Sequence, residues 1–122
     1  VNDIFDESIL PKVSPEESVQ NVIVEISSKR MGATAVLNAQ GIITGIITDG
    51  DLRRMLQRNQ PVDTLEAKDI LSLNPKTIER DELAINAFNL MEKNKITQLL
   101  VTESGKYVGM IHIHDILREG IV

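Results

Sequence analysis

Gly45-Ile46-Ile47-Thr48-Asp49-Gly50-Asp51-Leu52-Arg53-Arg54 passes within a few residues from a β-branched apolar run to a charged stretch with acids in front and arginines behind. Residues 42 to 48 have the length and composition of a short buried strand, and residues 49 to 58 read as a helix. The acidic first turn of that helix suits the positive end of its dipole. Backbone N–H groups gather at such a junction and accept phosphate or carboxylate, while Thr48 and Asp51 add a hydroxyl and a carboxylate for a polyol. A sugar phosphate or a nucleotide fits that chemistry.

The same stretch returns as Gly109-Met110-Ile111-His112-Ile113-His114-Asp115-Ile116-Leu117-Arg118, at a constant offset of 64 that pairs Gly45 with Gly109, Asp51 with Asp115 and Arg54 with Arg118. The offset also carries Pro11-Lys12 onto Pro75-Lys76 and Gly41 onto Gly105, so the chain is a tandem repeat without insertion between these landmarks. The repeats are placed at residues 1–58 and 69–122, with a connector at 59–68 that contains Pro61 and lacks apolar periodicity.

At 122 residues the chain has the length of one ordinary domain, and either half alone buries too little apolar surface, so the halves are expected to share a core. A hydrophobic fraction of 42% with 25% charged residues is that of a soluble globular protein, and no apolar run approaches a membrane span. Zero cysteines exclude a disulfide framework and thiol chemistry. The start at Val1 has no signal-peptide pattern, so a cytoplasmic location is expected, and without an initiator Met the chain reads as a piece of a longer protein. A net charge of −5, with Phe5, Phe88 and Tyr107 as the only aromatic residues, argues against a nucleic-acid surface. A small anionic ligand remains compatible with that charge, because local N–H groups and a few arginines decide such binding.

Along the chain, residues 1 to 10 form a lead-in that opens the first repeat, and Asp3-Ile4-Phe5 resembles Asp69-Ile70-Leu71. Ser14-Pro15-Glu16-Glu17 reads as a capping box, followed by a helix from 15 to about 30 with Val19, Val22, Ile23 and Ile26 at helical spacing. Residues 33 to 37 form a strand that turns at 38–41 into the strand leading to Thr48. In the second repeat a helix is expected at 81–94, with Ala84, Ala87, Phe88 and Met91 on one face. A strand at 96–102, a turn at 103–106, a strand at 107–113 and a helix at 114–119 follow. Each repeat is thus helix, strand, strand, helix, an α/β (α+β) fold in which two hairpins with their helices pack about a pseudo-twofold axis. Both strand-to-helix junctions would then open on clefts along the seam.

A tandem of this length carrying Gly-Ile-Ile-Thr-Asp-Gly-Asp-Leu-Arg-Arg resembles a pair of cystathionine-β-synthase-type (CBS) domains, a Bateman module, over essentially the whole chain. In that family a Gly-x-x-Thr/Ser-x-x-Asp motif binds adenosyl or other nucleotide ligands, the Asp holding ribose hydroxyls. Gly45, Thr48 and Asp51 fill it here. The second half departs from it, because His112 stands where the motif has Thr or Ser, although Gly109 and Asp115 are kept. The ending from His112 to Val122, together with 48–54, is similar to the C-terminus of arabinose-5-phosphate isomerases, a family of sugar phosphate isomerases. The resemblance implies an N-terminal sugar-isomerase domain that interconverts ribulose 5-phosphate and arabinose 5-phosphate and feeds synthesis of Kdo, the acidic sugar of lipopolysaccharide or capsule. CBS pairs attached to sugar nucleotidyltransferases share the Thr-Asp-Gly-Asp-x-Arg-Arg element, so the His-x-His-Asp ending is what discriminates.

The candidate ligand-binding residues are Ala33, Thr34, Thr48, Asp49, Asp51, Arg54, Thr97, Gln98, His112, His114 and Asp115. Thr97 and Gln98 correspond to Ala33 and Thr34, and the edges of both pairs are expected to line the clefts. Each also has an ordinary role open to it: Asp51 as a helix-start acid, the arginines as solvated helix charges or partners of nearby Asp, and Thr97 and Gln98 as plain strand residues. His112 and His114, two apart on a strand, would share one face with Asp115 beside them. No metal is expected there, since three ligands at most are at hand and no further His exists to complete a site. Ligand contact or structural hydrogen bonding is the better role for the pair.

No cysteine nucleophile, Gly-x-Ser-x-Gly elbow or Walker loop is present, so the chain is read as non-catalytic and needs no cofactor. It is expected to be a regulatory module in which a nucleotide or nucleotide-sugar, CMP-Kdo in particular, bridges the repeats and shifts the attached enzyme's conformational balance. The alternatives are a structural module that only dimerises and an adenine-nucleotide-sensing CBS pair attached to a sugar nucleotidyltransferase. Assembly into homo-oligomers through exposed helix faces fits all of these.

Overall fold

The chain is described by a computed structural model over residues 1–120; Ile121 and Val122, which close the second repeat and the His-x-His-Asp ending, lie outside the described residues. Packing divides the chain into two compact units, one formed by Pro11–Pro75 and the other by Val1–Leu10 together with the chain from Lys76 onward.

In the first unit the elements are β1 (Lys12–Val13), α1 (Val19–Lys29), β2 (Ala33–Leu37), β3 (Ile43–Thr48), α2 (Asp49–Leu56), a 3₁₀ turn (Val62–Thr64) and α3 (Ala67–Ile70). β2 pairs antiparallel with β3, and β1 adds a parallel strand on the other side of β2. Residues Val13, Val19, Val22, Ile26, Val36, Ile47, Met55, Ala67 and Ile70 form the core of this unit. The helical spacing of Val19, Val22 and Ile26 is what turns one face of α1 onto the sheet.

The second unit repeats the plan with β4 (Thr77–Glu79), α4 (Ala84–Asn94), β5 (Gln98–Glu103), β6 (Lys106–His112) and α5 (Ile113–Arg118). β4 lies parallel to β5 and β5 antiparallel to β6. Its core holds Phe5, Ile78, Ala87, Met91, Leu99, Val101, Ile111 and Ile116.

Several expectations are corrected. Each repeat carries an additional short parallel strand, so its order is strand, helix, strand, strand, helix. The first helix is not capped by Ser14. It starts at Val19 with Ser18 as its cap, whose hydroxyl accepts the Asn21 N–H at 3.2 Å, while Ser14 only closes a turn by accepting the Glu17 N–H. The helix stops because Arg30 takes a left-handed conformation (φ 60°) that Lys95 reproduces after α4 (φ 55°). α4 begins at Ala84 rather than at 81, and α2 ends at Leu56 rather than at 58. Each unit has a hydrophobic core of its own.

The packing units are also drawn differently from the sequence repeats. Residues 67–75 belong to the first unit because Ala67 and Ile70 are buried in its core and Ser72 forms a two-way backbone bridge with Ile46. The lead-in belongs to the second unit, where the Phe5 ring lies against Gly109 so closely that a Cβ there would come within 2.5 Å of it. Leu71 stands against Gly45 in the same way. The resemblance of 3–5 to 69–71 is therefore a resemblance of role: each lead segment covers the glycine of a hairpin. Arg80 fixes the lead-in further through Asn2, Glu7 and the face of Phe5, 5.5 Å from the ring centroid.

Candidate functional site: two unlike helix starts

At the end of β3 the chain enters α2 through a reciprocal cap. Thr48 Oγ1 accepts the Asp51 N–H at 3.2 Å, and Asp51 Oδ2 accepts the Thr48 N–H at 2.9 Å. Thr48 Oγ1 also donates to Asp51 Oδ2 at 3.2 Å. The second oxygen, Oδ1, accepts from Ser72 Oγ at 2.9 Å and from the Arg54 guanidinium at 2.5 Å. Asp51 is 6% exposed, and its two oxygens take four hydrogen bonds, which fill the acceptor capacity of a carboxylate. The ordinary role weighed for Asp51 is thus real, and a ligand hydroxyl reaches it only by replacing a partner. Arg54 is the replaceable one, its side chain being 63% exposed.

Around this junction the first unit brings Ala33, Thr48, Asp49, Asp51 and Arg54 together. Ala33 is the register partner of Thr48, and the Asp49 N–H donates to Gly32 O at 3.1 Å, leaving its carboxylate exposed. Thr34, next along β2, is fully buried as Ala33 is, and its hydroxyl donates to Ala35 O at 3.1 Å. Gly50 is part of the site and was not anticipated: its missing side chain leaves the Arg54 guanidinium and Thr48 Oγ1 as the nearest neighbours of a Cβ, both at 3.5 Å. Ser72 was not anticipated either. Its only sequence signal is its place directly after Asp69-Ile70-Leu71.

The corresponding start of α5 has the same backbone plan with different chemistry. Asp115 Oδ2 accepts the His112 N–H at 2.8 Å, and Oδ1 accepts from Arg118 at 2.7 Å. The hydroxyl of Thr48 is replaced by an imidazole, His112 Nδ1 accepting the His114 N–H at 3.0 Å. His112 and His114 do not share a strand face as expected. His112 ends β6 and His114 lies in the first turn of α5, where their rings stack with centroids 4.5 Å apart and planes at 23°. Gln98 is the register partner of His112, and Thr97 O accepts the Ile113 N–H at 2.8 Å, so Thr97, Gln98, His112, His114 and Asp115 do come together in the second unit. The Thr97 hydroxyl donates to its neighbour Gln98 at 3.0 Å.

Burial, and after it the charge of His114, pushes the His112 imidazole below its ordinary value of 6.5, with Asp115 opposing. Its Nδ1 acts as an acceptor, which requires the neutral ring with the proton on Nε2. A charged His112 would run against both its burial and its cap. Among the described residues no group of three or more His, Asp or Glu is placed to hold a metal ion.

The fold and these two helix starts define a CBS pair, and the chain belongs to the CBS domain family, whose pattern it matches over residues 1–58 and 67–121. Within that family it is similar to the arabinose 5-phosphate isomerase KdsD of Yersinia pestis, with 36% identity over 93% of this chain and 34% of that enzyme. The chain thus spans about a third of the length of the curated relatives it matches. Among solved structures, an uncharacterized conserved protein from Pyrococcus horikoshii superposes with a TM-score of 0.86 at 25% identity, over 98% of this chain and 89% of that one. The CBS pair of protein MJ0100, solved in complex with 5'-methylthioadenosine and S-adenosyl-L-methionine, gives 0.84 at 22% identity, over 98% and 94%. Among the described residues no helix is long and apolar enough to cross a membrane.

Proposed function

We propose that this CBS pair is the ligand-sensing regulatory part of a cytoplasmic arabinose-5-phosphate isomerase and binds a nucleotide or nucleotide-sugar at the start of α2. The observation that carries the reading is the contrast between the helix starts. At α2 a glycine leaves room beside a hydroxyl, an acid and a swinging arginine, while the matching position of α5 is filled by a stacked imidazole. Ribose hydroxyls would take over Asp51 Oδ1 as Arg54 swings out, and the released guanidinium would meet the ligand's phosphate. The similarity to an isomerase three times as long supports placing the sugar chemistry in a domain beyond this chain. The adenosyl ligands of MJ0100 favour an adenine nucleotide as the generic ligand. CMP-Kdo, the activated end product of the pathway implied by isomerase kinship, is the specific candidate as a feedback signal. Self-association of such modules would carry the signal between subunits.

Thermal melting with AMP, ATP and CMP-Kdo tests this reading. A ligand at a hundred times its dissociation constant adds about 2.7 kcal/mol of stability. A shift with CMP-Kdo that AMP and ATP cannot reproduce or displace supports the end-product reading. A shift with the adenine nucleotides alone replaces it by the generic one, and no shift with any of the three leaves a structural module that only dimerises.

A further inference from the structure

The imidazole at the start of α5 does a job that a hydroxyl does at the start of α2, and only one of those two groups titrates near neutral pH. Thr48 Oγ1 accepts the Asp51 N–H whatever the pH, whereas His112 Nδ1 accepts the His114 N–H only while it carries no proton. We propose that His112 is a proton-sensitive cap: protonating it turns the acceptor of the first turn of α5 into a donor facing a donor, and loosens that helix start in mildly acidic solution while α2 is untouched. Two further features of the geometry act in the same direction. The rings of His112 and His114 stack at 4.5 Å, so charging both places like charges face to face. His112 is also partly buried at the junction of β6 and α5, where an imidazolium is poorly solvated.

The charged groups of the neighbouring elements do not reverse this. β6 carries Lys106 and β5 carries Glu103, both at the far end of the hairpin from His112, whose partner on β5 is the neutral Gln98. α4, which packs on α5, carries Glu92 and Lys93, and α5 itself carries His114, Asp115 and Arg118. Burial and then His114 push the imidazole down, and Asp115, itself paired with Arg118, pushes it up without prevailing. Because the folded value lies below the ordinary 6.5, the folded chain binds fewer protons than the unfolded one between the two values. The stabilisation is therefore complete above pH 6.5 and is lost as the pH falls below it toward the folded value. Each pH unit between the two values changes the folding equilibrium by a factor of about ten.

His112→Thr, which installs the residue found at position 48, tests the cap. Urea midpoints of the wild-type chain and the variant are compared at pH 7.5 and 5.5, and the imidazole nitrogens of the wild type are followed by NMR over the same range. The wild type is expected to lose more stability on acidification than the variant, with His112 unprotonated at Nδ1 at pH 7.5 and the His114 amide shifting along the His112 titration. Equal pH dependence of the two proteins overturns the proposal. So does a proton on Nδ1 at pH 7.5, which the wild-type spectrum decides even if the variant folds poorly.

Discussion

Asp51→Asn and Asp115→Asn make the same chemical change at matching positions, and the structure gives them unequal costs. At position 51 the carboxylate takes two bonds from Thr48, one from Ser72 and one from Arg54, in a place almost closed to water. An asparagine can keep its oxygen toward the Thr48 N–H, and the Ser72 hydroxyl can rotate to accept from the new NH₂. Arg54 is then driven into solvent, and the remaining bonds lose the charge that strengthened them. With bonds to charged groups worth about 1.5–3 kcal/mol against about 1 for neutral ones, and little credit for the exposed arginine, the change costs about 2–3 kcal/mol. At position 115 the oxygen is kept on the His112 N–H, and the only other side-chain partner among the described residues, Arg118, has a side chain 70% exposed. Asp115 stands in the first turn of α5 rather than at its cap, so asparagine forfeits chiefly the attraction of the charge to the helix dipole, about 0.3–1 kcal/mol. Urea denaturation followed by circular dichroism on both variants reads the difference. Equal losses, or an Asp51→Asn chain within about 0.5 kcal/mol of wild type, would show that the bond network around Asp51 does not bear on stability.

Gly45→Ala would put a Cβ 2.8 Å from the backbone oxygen of Ser72, which accepts the Ile46 N–H, so neither side can yield cheaply. A loss of about 1–3 kcal/mol is expected in the same denaturation assay, and a neutral result would show that the 71–72 segment is not held against β3. Gly109→Ala meets the Phe5 ring instead and should cost a similar amount in the wild type but much less in a Phe5→Ala background; additive losses would count against that contact. Ser18→Ala should cost about 1 kcal/mol by uncapping α1, whereas Ser14→Ala, which leaves the Ser14 carbonyl turn intact, should cost almost nothing; the reverse order would restore Ser14 as the cap.

The constant offset between the halves made most of the fold legible, because it marks strand ends and helix starts twice and each half checks the other. The ends of β3 and β6 and the starts of α2 and α5 lie within a residue of where the pattern puts them. β1 and β4 escaped because two or three residues hold no alternation to detect, and their parallel partners lie about 23 positions away. Ser14 drew the helix start four residues early: Ser-Pro-Glu-Glu satisfies the capping pattern locally, but only Ser18 is followed at once by the buried Val19. At the site, the sequence named Thr48, Asp51 and the two histidines but not their bonds. Saturation of Asp51 depends on Ser72, which is 21 positions away and reaches it through the backbone bridge to Ile46. The stacking of the two imidazoles follows from where the strand ends: two residues further and they would have shared a strand face.

Phe5 closes against Gly109, which leaves the ribosome about a hundred residues later. A growing chain therefore makes the lead-in of its second unit first and completes the unit last, whereas Pro11–Pro75 holds all of its own core and can fold as soon as it emerges. Until the chain from Lys76 onward arrives, Val1, Ile4 and Phe5 have no apolar surface of their own unit to cover, and the closure of Phe5 on Gly109 spans nearly the whole sequence. Cutting the gene between the repeats would for the same reason yield unequal pieces: the upstream one would keep a complete unit and a lead-in without its partner, and the downstream one would carry a hairpin whose Gly109 faces water.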